Sequence, residues 1–198
     1  MTEIVYNTNE LNPPIKKQPE FEPYTLVAQN SDILGSKIKN FDFSDPNSDP
    51  IEIGSRLVET AKLHETFGIA ANQCGLRHRV FVAGSDDNYV AFFNPEIILE
   101  SKDTILIQET DLSNMGMLLS VKRPKSITVQ FQDYTGEERT LQFDGLTSRI
   151  VQQCVDRLNG IGFEMRVSKL VLDRANKALE KKIKKFVKQN TYIKKARA

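Results

Sequence analysis

The sequence predicts an α+β fold, antiparallel sheets around a central helix, and three observations carry that prediction. A helix opens at Asp49-Pro50-Ile51-Glu52, where an Asp cap precedes a first-turn Pro and a Glu follows three residues after the cap. Short apolar segments separated by turn residues then run from 79 to 143. Two helical patterns close the chain after Gly145. A helix, a block of strands and then helices is an α+β order, and no internal repeat interrupts it.

Each element has its own signal. Ile53, Leu57, Val58 and Ala61 recur at helical spacing after the Asp49 cap, and the helix should stop before Gly68. Strands are expected at Arg79–Ala83, Val90–Phe93, Ile97–Glu100, Thr104–Gln108, Leu118–Val121, Ile127–Asp133 and Glu138–Phe143. The turn Asp133-Tyr134-Thr135-Gly136 makes the last two a hairpin. Gly145 opens a second helix that runs to about Asn159 and breaks at Gly160-Ile161-Gly162. A third helix, about Ser168 to Gln189, carries Val171, Leu172, Ala175, Leu179, Ile183 and Phe186 on one stripe.

Composition limits what this fold can be. At 198 residues the chain holds one core with room for extensions. Hydrophobic residues are 39%, which fits a single core plus polar arms. The longest apolar runs are only a few residues, too short to span a bilayer. The opening residues have no apolar core of a secretory signal. Two cysteines make neither a disulfide framework nor a zinc ribbon, so a reducing, cytoplasmic setting is expected.

Both ends differ from the middle. Six of the eight prolines fall within the first 50 residues, which disfavours helix and inner strand there. Residues 1–40 are read as an extended N-terminal arm, 41–170 as the folded domain and 171–198 as a basic C-terminal helix and tail. Residues 177–198 hold nine Lys and Arg against Glu180 alone, although the whole chain carries only +1. Lys181, Lys182, Lys184, Lys185 and Lys188 form the candidate partner-binding face. Its solvated alternative is a helix end whose lysines complement the dipole.

Three stretches carry the functional signal. Phe67-Gly68-Ile69-Ala70-Ala71-Asn72-Gln73-Cys74-Gly75 sets small residues in a row, which lets a backbone or a ligand approach closely. Glu109-Thr110-Asp111-Leu112-Ser113 follows, with Gly116, Arg123 and Pro124 behind it. Gln152-Gln153-Cys154-Val155-Asp156-Arg157-Leu158-Asn159-Gly160 lies on the second helix. In this order and spacing they resemble the three motifs of the peptide deformylases over roughly residues 41–170. Phe41-Asp42-Phe43 through Pro50 is similar to the virus-encoded branch of that family.

The resemblance implies the deformylase fold, and an activity that removes the formyl group from an N-terminal formyl-methionine. In the family a Cys of the second motif and two His of the third hold a metal, and a carboxylate between the His residues is the general acid and base. The positions that match those ligands are Asp111, Gln153 and Arg157, and the base position is Cys154. Gly68, Gln73 and Leu112 match positions that line the family's substrate site. A guanidinium stays protonated and has no lone pair to give a metal. Beside a dication, even one unit of like charge at ~4 Å costs on the order of 4 kcal/mol at an effective dielectric of ~20. Asp111 and Arg157 are expected instead to pair with each other, with Gln153 beside them.

From these substitutions the expected protein is a pseudoenzyme without metal or other cofactor. It would be a structural and interaction component of a larger assembly, such as a viral particle. Its partners would be other chains of that assembly, a second copy of itself among them, with ribosome or nucleic acid reached through the basic tail and no membrane partner. Two alternatives stand beside it: a ribosome-associated binder of nascent N-termini, and a divergent metal-dependent deformylase. Cys154 lacks a histidine at a spacing that would make a dyad, since His64 and His78 are the only two. Cys154 and Cys74 are therefore read as inert thiols.

Overall fold

The computed structural model describes residues 21–196, so the first half of the expected arm lies outside the described residues. The elements in chain order are α1 (Pro50–Leu63), β1 (Gly68–Ala70), β2 (Val80–Ala83), β3 (Val90–Glu100), β4 (Thr104–Glu109), β5 (Leu119–Pro124), β6 (Ser126–Gln132), β7 (Glu138–Asp144), α2 (Gly145–Leu158) and α3 (Lys169–Ala196). One five-stranded sheet has the order β1-β2-β3-β6-β7, and β4 and β5 form a two-stranded sheet. The pairings β1 with β2, β2 with β3, β3 with β6 and β6 with β7 are all antiparallel. No helix among the described residues is long and apolar enough to cross a membrane.

The chain forms two compact units. Among the described residues, the first is 21–105 together with Arg123–Ile161, and the second is Leu106–Lys122 with 162–196. The core of the first unit is the packing of α2 on the five-stranded sheet. Val151, Cys154, Val155 and Leu158 meet Ala70, Phe81, Phe92, Val129 and Phe131 there, all buried. The smaller core of the second unit joins Met117, Leu119, Val121 and Phe163 to one side of α3 through Leu172, Ala175 and Leu179.

The Asp49 cap forms as its sequence predicts, accepting from the Ile51 and Glu52 backbone N–H groups at 2.8 and 3.4 Å. Two expected strands, Val90–Phe93 and Ile97–Glu100, are one continuous strand. Its pairing with β6 shifts register between Phe93 and Glu96, where Asn94 adopts a left-handed φ of 49°. The Asn94 side chain supports that kink from both ends. Its Oδ1 accepts from Phe41 N at 2.6 Å, and its Nδ2 donates to Phe41 O at 3.0 Å and Gln132 Oε1 at 2.7 Å. Phe41 thereby seats its ring against Phe43, Phe93 and His78. The segment from Val27 also lies on the first unit, because Val27 N donates to Gln73 O at 2.9 Å. The fifth strand begins at Leu119 rather than Leu118 and reaches Pro124.

Candidate functional site

The segment from Gly68 to Cys74 is a three-residue edge strand followed by one 3-10 turn, Ala71–Cys74. Its small residues have a visible purpose. A Cβ at Gly68 would stand 2.7 Å from Ile150 Cγ2 and 3.0 Å from Cys154 Sγ, so β1 can lie on α2 only because the side chain is absent. Gln73 is buried, and its Oε1 accepts from Ala70 N at 3.0 Å, which fixes the amide across the turn. Asn72 is fully buried and donates from Nδ2 to Arg157 O at 2.6 Å. The first motif is thus tied directly to the backbone of the third.

The middle and end of α2 are held by a dense polar set. Arg123 donates from NH1 to Asp156 Oδ2 at 2.7 Å, and both side chains are nearly inaccessible. Gln152 Nε2 donates to Pro124 O at 3.0 Å and to Ser148 Oγ at 2.9 Å. Arg149 donates to Ile105 O at 2.7 Å. At the helix end, where carbonyls lack intrahelical donors, Arg79 donates to Leu158 O, Asn159 Oδ1 and Pro95 O. Cys154 and Arg157 are buried in this frame, and Gln153 is half-buried.

Asp111 and Leu112 belong to the second unit. Asp111 is buried and caps the one-turn helix Leu112–Asn114, accepting from Ser113 N at 2.7 Å. Asn114 continues the link by donating to Glu164 Oε2 at 3.1 Å. Leu112 is half-buried. Lys181, Lys182, Lys184, Lys185 and Lys188 are all exposed on α3. The apolar residues between them are exposed too: Ile183, Phe186 and Val187 at 54, 66 and 57%.

The donor chemistry of α2 tests whether a metal fits there. Arg157 offers no lone pair and Gln153 offers only an amide oxygen. Among the described residues no group of three or more His, Cys, Asp or Glu gathers to hold a cation. These side chains do not fit a metal centre built from one Cys and two His. Burial pushes the Cys74 thiol up to about 12, so it stays protonated and is no nucleophile.

Sequence reasoning missed Asn72, Arg79 and the pairing of Arg123 with Asp156. The signal for the pair was present, since Arg123-Pro124 and Asp156 each stand in a motif, but spacing alone does not join positions that far apart.

Comparison with known proteins extends the reading beyond these motifs. A family model described as polypeptide deformylase matches residues 23–173. A peptide deformylase of Wolbachia pipientis is 33% identical over 160 residues, covering 74% of this chain and 88% of its own. A peptide deformylase of Synechococcus elongatus, solved with actinonin, superposes with a TM-score of 0.73 at 28% identity, covering 84% of this chain and 91% of its own. A class I type b peptide deformylase of Acinetobacter baumannii, solved with Met-Ala-Ser, gives a TM-score of 0.69 at 27% identity over 74% of this chain and 99% of its own.

These matches correct the expected pseudoenzyme. The picture of a non-catalytic, metal-free structural piece of a virion rested on four side chains. Relatives that match most of the domain are named peptide deformylase or peptide deformylase-like, and solved deformylase neighbours hold actinonin or Met-Ala-Ser. The divergent deformylase is the alternative they favour.

Proposed function

The chain belongs to the peptide deformylase family, and on that premise we propose that it is a divergent hydrolase acting on the N-terminal end of peptides. The observation that carries the reading is the family match over residues 23–173, which takes in all three motifs of the candidate site. The reaction is hydrolysis of an N-terminal formamide. Water adds to the formyl carbon, the C–N bond breaks, formate leaves and the peptide keeps a free amine.

The residues of this chain suit the binding half of that task. β1 lies at the edge of the five-stranded sheet, and an extended peptide would add to it by replacing the bonds that Gly68 and Ala70 backbone groups make to Thr66 and Gln73. Gly68 keeps that edge low against α2. Gln73, oriented through its bond to Ala70, brings an amide donor as its contribution to a carbonyl oxygen. Gln153, Cys154 and Arg157 supply the helix's part, in the same unit as Gly68 and Gln73. Within the family, Phe41-Asp42-Phe43 supports a place in the virus-encoded branch. A substrate of newly made polypeptides supports a cytoplasmic setting, and the exposed lysines of α3 give the chain a ribosome contact through anionic RNA.

The test is formate release from formyl-Met-Ala-Ser by the purified full chain, with its metal content measured on the same sample and an active deformylase run alongside. Turnover that falls at least tenfold in Gln73→Ala is the expected result. No release above the uncatalysed rate, while the control enzyme turns over, would overturn the proposal.

A further inference from the structure

A cavity of about 340 Å³ opens at the start of α2, in the first unit. Its walls are Val90 and Phe92 of β3, Leu141 and Phe143 of β7, and Ile150 and Val151 of α2. Its rim is polar but neutral, with Ser85, Asn88 and Thr147. Phe67 and Leu146, 54 and 60% exposed, stand beside the opening. Gly84 shapes the wall at the β2–β3 connection, where a Cβ would meet Asn88 O at 2.2 Å.

The cavity abuts the candidate peptide site through Phe67 and Ile150, which flank Gly68, yet none of Gly68, Gln73, Gln153, Cys154 or Arg157 lines it. No charged side chain lines it either, so an ion entering it would lose its hydration without gaining a counter-charge. Its volume lies at the small end of the ~300–1,000 Å³ range of small-molecule sites.

We propose that this cavity is a binding site for an uncharged, mainly apolar small molecule with one or two hydrogen-bonding groups. The apolar walls take a ring system or a short alkyl chain. Ser85, Asn88 and Thr147 take the polar end at the mouth. The site shares a wall with the peptide site, but the proposal does not depend on the hydrolysis proposed above.

The probe is N-phenyl-1-naphthylamine, a neutral naphthalene whose fluorescence rises in apolar surroundings, titrated into the full chain. Saturable one-to-one binding is expected at micromolar concentration. Thr147→Phe and Asn88→Phe, at exposed lining positions from different elements, should each weaken it at least tenfold. Gln142→Phe, exposed and outside the lining, should leave it within twofold. Melting curves establish that the variants fold; if one rim variant does not, the other carries the test. Non-saturable binding, binding untouched by a folded rim variant, or displacement of the probe by formyl-Met-Ala-Ser would each overturn the proposal.

Discussion

α2 and α3 are both amphipathic, yet they treat their polar residues in opposite ways. Nine of the 14 residues of α2 are buried, among them Arg149, Gln152, Asp156 and Arg157. On α3 the lysines from Lys177 to Lys188 are all exposed, and past Leu179 the apolar stripe runs on uncovered through Ile183 and Phe186. In α2 the buried Ser148, Arg149, Gln152 and Asp156 answer to specific partners, so a substitution there is a change of architecture. In α3 the letters answer mainly to solvent, so many sequences would serve.

The strongest way to break that contrast is at the buried ion pair. Asp156→Ala leaves Arg123 charged in a site closed to water, and should cost about 3–5 kcal/mol in urea unfolding. A loss below 1 kcal/mol would place α2 in the same class as α3. Gly68→Ala should come next, at about 1–3 kcal/mol, because its Cβ meets Ile150 and Cys154. Adding Ile150→Ala should return part of that loss, and a double-mutant cycle reads the coupling. Asn72→Ala removes the donor to Arg157 O inside the core, for a further ~1–3 kcal/mol measured by thermal melting.

A smaller effect sharpens the contrast through pH. Burial holds His78 below the ordinary histidine value, with Asp45 pulling weakly the other way. The folded state therefore prefers the neutral ring. Stability should be full above the unfolded value of ~6.5 and fall as pH drops from there through the lower folded value. His78→Gln should flatten that slope in melting curves between pH 7 and 5. The smallest effect belongs to α3: Lys184→Gln should move stability by no more than ~0.5 kcal/mol.

Legibility in the sequence followed the length of each signal. The cap at Asp49, the hairpin at Asp133-Gly136 and the stripe of α2 extend over enough residues for period and punctuation to agree. The strand Gly68–Ala70 is three residues long and shows no period. Asn94-Pro95 reads as a break between strands, yet the chain passes through it as a kink because Asn94 both tolerates a positive φ and clamps Phe41. The candidate site was legible as three motifs, since their order and spacing survive. Its chemistry was not: judged from Asp111, Gln153, Cys154 and Arg157 alone it looked spent, while the rest of the domain follows named enzymes. One role was opaque at any length. Nothing near Asp111 announced that it caps its own turn.

The second unit is assembled from two stretches far apart along the chain, Leu106–Lys122 and, among the described residues, 162–196. A ribosome adding ~5–20 residues per second releases the first stretch seconds before the second exists. For that interval Met117, Leu119 and Val121 have no Phe163 or Leu172 to cover them. Birth order alone thus leaves this hairpin, for that interval, a place where a chaperone, or a misfolding neighbour, can take hold.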